Sequence, residues 1–310
     1  MNYHDLTIIL ASTVALSTPI LLAAVGGLIS ERAGVFALTL EGFMLMGAFF
    51  SVFVAMKSNA SVGVLAGGLA GMGLAVLYAV FSIRLKMNQI TACIGLIILA
   101  MGLTKFLNDA TLERAGTTFQ RAPGLAPVEI PLLSDIPVIG TALFAQNWLV
   151  YASFGIAAFT IYFLNRSHAG LRLAAVGHAP RVAEARGISV NRTRYAAVLV
   201  SGFIGGIAGA MLTLGILNSF VANVTAGRGF IALAAIVFAA WRPSGVVLGA
   251  LLFGGTDALQ LWLNSTGAVA LPADVLSMMP YVLAIVVLMV FASEHSPAAL
   301  GLPYDREQRN

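Results

Sequence analysis

Glu41 lies in the middle of the apolar run ALTLEGFMLMGAFF. A carboxylate buried in such a run costs about 3 kcal/mol on membrane-insertion scales, so it must face protein or water. Its chemistry would be that of a substrate-path or proton-relay carboxylate. The other reading is structural: a hydrogen bond to a neighbouring helix's backbone, with Gly42 permitting a local bend. Asp257 and Gln260, in GGTDALQLWL, pose the same choice, and a separation of three residues puts them on one helix face. Asn88-Gln89-Ile90-Thr91 opens a further apolar run just after Arg84 and Lys86. Its amides can cap a helix or bond across helices, and capping is the expected role. Asn218 and Asn223 flank the end of another run, where they could meet a polar solute or simply be solvated. Arg228, in AGRGF, either enters a helix or snorkels to the surface.

Enzyme chemistry has no constellation to carry it. His4, His168, His178 and His295 fall at segment ends or in loops, and neither HExxH nor a GxxxxGK[ST] phosphate loop occurs. The chain therefore reads as no enzyme, with no metal or cofactor of its own. If ATP drives it, a partner subunit must bind the nucleotide. The single cysteine, Cys93, sits in an apolar run without metal-ligand spacing and reads as a small buried residue.

The elements that must position these groups are membrane spans. Of 310 residues, 59% are hydrophobic and 10% charged, whereas soluble domains carry roughly 25% charged residues. Apolar segments run over Leu6–Ile29, Val35–Met56, Ala60–Ile83, Ile90–Leu107, Trp148–Leu164, Tyr195–Leu217, Gly229–Ala240, Val246–Leu263 and Met279–Ala292. A span needs roughly 20 residues. Gly229–Ala240 is shorter and ends at Trp241-Arg242-Pro243-Ser244-Gly245, the mark of a broken or re-entrant helix. The expected architecture is an all-α polytopic transmembrane bundle of about nine or ten spans. The start, MNYHDLTIIL, has no basic n-region and reads as a retained first span rather than a leader. Gly63, Gly67 and Gly71, with Gly202, Gly206 and Gly209, form stripes that let helix backbones approach closely in lipid.

Between two of these segments, residues 165–194 hold six arginines (Arg166, Arg172, Arg181, Arg186, Arg192 and Arg194) of the chain's 17 Lys and Arg residues, against the one acid Glu184. The positive-inside bias puts this loop in the cytoplasm and, counting spans back, places Arg84, Lys86, Glu31 and Arg32 inside as well. The Pro-rich stretch Asn108–Asn147 then falls outside, as does the N-terminus, while the tail 293–310 lies in the cytoplasm. Basic residues concentrated this way exclude a nucleic-acid surface. Within the loop, Pro180 suits a first helical turn and Gly187 the position after the last. PRVAEAR between them makes about two turns, with Val182 and Ala185 on one side and Arg181 and Glu184 on another. So short a helix is marginal alone and needs a partner surface; a simple solvated loop is the other reading.

Three blocks carry a family resemblance. AVGHAPRVAEARGISVNRTRYAAVLVSGFIGGIAGA resembles the coupling segment and following span of permeases of the branched-chain amino acid, ribose and nucleoside type of ABC importer. That family's G-x-x-P-x-A-A-x-x-x-G-I pattern marks a cytoplasmic helix that enters a cleft in the ATPase. Gly177, Pro180, Ala183, Gly187 and Ile188 match it, with Val182 where alanine is usual. SERAGVFALTLEGFMLMGAFF, from Ser30, resembles the family's early block, and GRGFIALAAIVFAAWRPSGVVLGALLFGGTDALQ its late one. Phenylalanine and threonine, within Phe36 to Thr39, stand where the early block more often has asparagine and glycine. The nearest likeness is to the smaller of two paired inner-membrane permeases in simple-sugar and nucleoside importers.

The resemblance implies that residues 1–310 form one permease domain working by alternating access. Its implied partners are a second permease in a heterodimer, P-loop ATPase subunits, a solute-binding lipoprotein and membrane lipid. It implies an ATPase contact at Gly177, Pro180, Arg181, Ala183, Glu184, Gly187 and Ile188; the polar residues of the apolar runs, Glu41, Asn88, Gln89, Asp257 and Gln260, are the candidates for the solute path. The rival class is a proton-coupled secondary transporter using Glu41 and Asp257.

Overall fold

The computed structural model describes residues 3–112, 122–129, 139–267, 272–291 and 296–305. It is a helical bundle, and seven of its helices are long and apolar enough to cross a membrane. They are built from α1 (Tyr3–Arg32), α3 (Ala60–Ala79, continued by a wide π turn to Arg84), α4 (Gln89–Thr111), α6 (Trp148–Arg166), α9 (Val190–Ala210, continued by a π turn to Leu217), α11 (Pro243–Thr266) and the pair α12 (Ala273–Ser277) and α13 (Met279–Phe291). Two apolar helices are too short to span: α2 (Leu40–Ala55) and α10 (Arg228–Phe238). Nine apolar segments were expected from the sequence, and the break expected at Trp241–Gly245 separates α10 from α11.

A second interruption was not expected. The segment read as Val35–Met56 becomes helical only at Leu40, and residues 33–39 form an irregular turn after α1. Backbone buried in an apolar setting must find partners, and here each comes from a particular residue. Val35 N–H donates to Ser30 O at 3.1 Å, and Gly34, at φ +84°, donates to Glu31 O. Phe36 N–H donates to Gln89 Oε1 at 2.8 Å, while Tyr78 Oη donates to Phe36 O at 2.7 Å. Ala37 N–H reaches Glu31 Oε1 at 3.2 Å.

The core is the three-helix contact of α2, α3 and α9, and glycine sets its spacing. A Cβ on Gly71 would lie 2.7 Å from Gly206 Cα, and one on Gly67 would lie 2.8 Å from Gly47 O. Neither distance is one that a real Cβ keeps, so the helices meet backbone to backbone, as small-residue stripes permit in lipid. Serine and threonine hydroxyls bond across this contact: Ser51 Oγ and Thr213 Oγ1 are 2.9 Å apart.

The Asn108–Asn147 stretch is not entirely irregular where it is described. Strand β1 (Pro127–Glu129) pairs antiparallel with β2 (Ala145–Asn147), and α5 (Ile139–Phe144) precedes β2. Ala122 and Leu125 donate their N–H groups to Asn218 O and Leu214 O, which lays this segment across the end of α9. Residues 113–121 and 130–138 of this stretch lie outside the described residues, as do residues 292–295 and 306–310 of the tail. Residues 165–194 are largely helical: α7 (His168–His178), α8 (Pro180–Ala185) and the first turn of α9.

Candidate functional site

Two places bring the chemistry-bearing residues together. The first lies inside the bundle, where the short α10 begins. Its own N-cap residue, Gly227, at φ +80°, has no side chain to satisfy the first N–H groups. Glu41, in the first turn of α2, supplies the acceptor from another helix. Gly227 N–H donates to Oε1 at 2.9 Å and Gly229 N–H to Oε2 at 2.8 Å, while Thr225 Oγ1 donates to Oε1 at 2.6 Å. An anion at the positive end of a helix is favoured, and more so out of water. The carboxylate is 3% exposed and both its oxygens are engaged. Tyr281 Oη closes the same turn by donating to Ala226 O.

One residue on, Arg228 lies 3.3 Å from Asp257 Oδ2 on α11. Asp257 is nearly buried and Arg228 about a quarter exposed, so the ion pair joins the break to the neighbouring full-length helix. Gln260, one turn further along α11, is half-buried. Of the intramembrane polar residues read from the sequence, the structure thus brings Glu41 and Asp257 to either side of the α10 start. It gives them Thr225, Arg228 and Tyr281 as companions, none of which had been assigned that role. Arg228 was legible as a choice between entering the helix and snorkelling, and it enters.

Asn88 and Gln89 belong elsewhere. Asn88 Oδ1 accepts from the Ile90 and Thr91 N–H groups and caps α4, as expected. Gln89 holds the 33–39 turn, with its Nε2 buried and without a hydrogen bond among the described residues. Below them Glu31, expected as a loop charge, is fully buried: Trp241 Nε1 donates to its Oε2 at 2.5 Å. Arg32 donates from Nε and Nη2 to Trp241 O at 3.1 and 2.7 Å. The 33–39 turn and the α10–α11 break are therefore clamped to each other.

The second place is the arginine-rich end of the bundle. Ser167 Oγ caps α7 by accepting from Gly170 N–H at 2.9 Å. After Ala179, Pro180 occupies the first turn of α8. The helix ends as Gly187 suggested: at φ +80° it donates its N–H to Glu184 O at 2.8 Å, and Ile188 N–H donates to Ala183 O at 3.0 Å. Those two bonds define a Schellman cap. Ala183 is buried with Val176 and Val190, and Ile188 packs against them. Val182 points outward, 62% exposed, and Arg181 is exposed beside it. The exposed face of α8 is thus rigidly presented by a small core of its own.

Residues 296–305 brace that core. Ala299 N–H donates to Gly177 O and Gly301 N–H to Gly34 O. Tyr304 Oη donates to Glu184 Oε2, and Lys86 Nζ pairs with Asp305 at 2.8 Å. Arg194 donates to Ala33 O at 3.2 Å and to Leu302 O at 2.9 Å. Arg194, one of the six arginines of the 165–194 loop, is 2% exposed and is a buried tie. Its position in α9, one turn past the first helical residue, turned it inward, which an unbroken loop reading could not foresee. Gly177 packs so closely on Arg32 O that no side chain fits there.

Residues 9–290 match the sequence profile of the family described as "Branched-chain amino acid transport system / permease component". A protein named "Putative glucose ABC transporter permease protein TsgC13", of Haloferax volcanii, is 40% identical over 82% of this chain and 77% of its own length. The nucleoside ABC transporter permease protein NupC of Lactococcus lactis is 35% identical over 97% of this chain and 98% of its own. The guanosine ABC transporter permease protein NupQ of Bacillus subtilis is 32% identical over 98% of both. No solved structure matches the chain.

Proposed function

The chain belongs to the permease component family of branched-chain amino acid transport systems, and from that premise we propose that it is the membrane subunit of an ATP-driven importer for a nucleoside or simple sugar. The observation that carries this reading is α8, a two-turn helix opened by Pro180, closed by a Schellman cap and anchored on its own small core, with Val182 and Arg181 left facing outward. A helix so short is marginal by itself; its small core holds it in place and leaves its outward residues to a partner surface. The partner proposed is a P-loop ATPase, since this chain has no phosphate loop. The arginine-rich end is then cytoplasmic; Pro180, Arg181, Glu184, Gly187 and Ile188 would form the contact, while the buried Gly177 and Ala183 hold the helix in place behind it.

Alternating access would move α8 with the ATPase and, through Gly177, Arg194 and the 296–305 brace, the ends of α1 and α9. The solute class is taken from relatives named for nucleoside, guanosine and glucose transport. A second permease and an extracytoplasmic receptor lipoprotein complete the proposed assembly in the cell membrane. Glu41, Asn88, Gln89, Asp257 and Gln260 would shape the path from behind rather than line it, because Glu41, Gln89 and Asp257 are buried in contacts of their own. The proton-coupled alternative draws no support from two carboxylates already engaged by a helix terminus and an arginine.

Reconstitution with candidate ATPase, second permease and lipoprotein tests the proposal. ATP-dependent uptake of a nucleoside, with ribose and galactose as competitors, is expected and should survive collapse of the proton gradient. Uptake that needs the gradient and ignores ATP would overturn it.

A further inference from the structure

A cleft of about 550 Å³ opens between α6, α7 and α9, away from both places described above. Its walls are apolar: Ile29, Ile156, Phe159, Phe163, Val200 and Ile204 all contribute. Phe159 is 66% exposed, so the cleft faces outward from the bundle along the apolar length of α6 and α9. At its α7 end the lining changes character, and Arg172 and Arg192 both border it. The two come from different helices, α7 and the first turn of α9, and both are exposed. Among the described residues neither is ion-paired, although Lys86 and Arg228 have found carboxylates and Arg194 backbone carbonyls.

An apolar slot parallel to membrane-spanning helices, closed at its basic end by two unneutralised guanidinium groups, matches one molecule in shape and charge. We infer that it is a binding site for an anionic phospholipid of the arginine-side leaflet, with an acyl chain along Phe159, Ile156 and Ile204 and the phosphate between Arg172 and Arg192. Arginine suits this role because its planar fork contacts phosphate oxygens in pairs and holds its charge at any working pH. Basic pockets between spans at the positive-inside face select anionic head groups on the same grounds. Because α7 leads directly into α8, a lipid held there would also brace the segment that presents α8.

Native mass spectrometry of the purified full-length chain tests the site, with phosphatidylglycerol and phosphatidylcholine of identical acyl chains competing. The wild type should retain the anionic lipid preferentially. The double variant R172Q/R192Q should lose about thirtyfold of that preference, as expected for the surface attraction of two basic residues, while R172K/R192K should keep most of it. Soluble glycerol phosphate should not displace the lipid, which separates a lipid site from a free phosphate site. A photoreactive group at Phe159 should capture lipid. An undiminished preference in R172Q/R192Q, no preference in the wild type, or capture of another membrane protein at Phe159 would each overturn the inference. Thermal unfolding in phosphatidylcholine alone, equal among the variants, confirms that loss of preference is not loss of fold. These readouts involve neither ATP nor solute, so they stand or fall apart from the transport proposal.

Discussion

Glu41 illustrates how far a single residue can be read. A carboxylate within an apolar run announces that something polar meets it, and the sequence left open whether that was solute, proton or backbone. The partners proved to be the Gly227 and Gly229 N–H groups, 186 and 188 residues further along the chain, with Thr225 beside them. Nothing in ALTLEGFMLM encodes that distant glycine pair. Glu41→Ala should strand three donors, two of them buried, and lower stability by at least about 2 kcal/mol, since each orphaned buried donor costs about 1–3 kcal/mol. Asn218→Gly, at an exposed residue with φ +55°, should change stability by no more than about 0.5 kcal/mol. Thermal unfolding in detergent compares the two directly. Glu41→Gln separates the roles: an anchoring carboxylate predicts a lowered midpoint, whereas an unchanged midpoint with abolished transport would restore the relay reading. Asp257→Asn should destabilise less than Asp257→Leu, because the amide still offers Arg228 an oxygen.

At the scale of elements, α8 was legible because its signals are local. Pro180 and Gly187 bracket it through backbone geometry alone, and the Schellman bonds fall where that geometry puts them. Gly187→Val forces a β-branched residue to φ +80°, a region costing about 1–2 kcal/mol even for unbranched side chains. The expected outcome is normal membrane insertion with a frayed α8, so that ATPase activity of the assembled transporter no longer drives uptake. Glu184→Arg removes the acceptor for Tyr304 and places a cation beside Arg181, and should uncouple in the same way. Coupled transport in both variants would remove α8 from the ATPase contact. α7 was not legible, although Ser167 is an ordinary N-cap, because the arginines around it looked like solvated loop. The 33–39 turn was hidden for the opposite reason: its residues are apolar enough to pass for the start of a span.

For the whole molecule, the packing of α2, α3 and α9 follows from glycine stripes visible in one dimension, but which stripe meets which is a matter of three. A Cβ on Gly206 would lie 3.0 Å from Gly68 Cα, with Gly67 nearer still. Gly206→Leu should therefore force the α3–α9 pair apart, with a penalty at or above the roughly 1–3 kcal/mol typical of overpacking. Its expected sign is a fall in monodisperse yield on size-exclusion chromatography, with Gly206→Ala intermediate. Gly73→Leu, on the partner helix α3 but with open space at its Cβ, should behave as wild type. The sequence by itself determined the solvent, the approximate number of apolar helices, the arginine-rich end and the short helix α8 within it. Each of these rests on composition or on neighbours within a few residues. Only the tertiary structure decided that Glu41 caps α10, that Glu31 and Arg194 are buried ties, and that residues 296–305 brace α8. Those contacts join positions far apart in the chain, and a buried polar group's partner is fixed by which helices pack together rather than by the residues beside it.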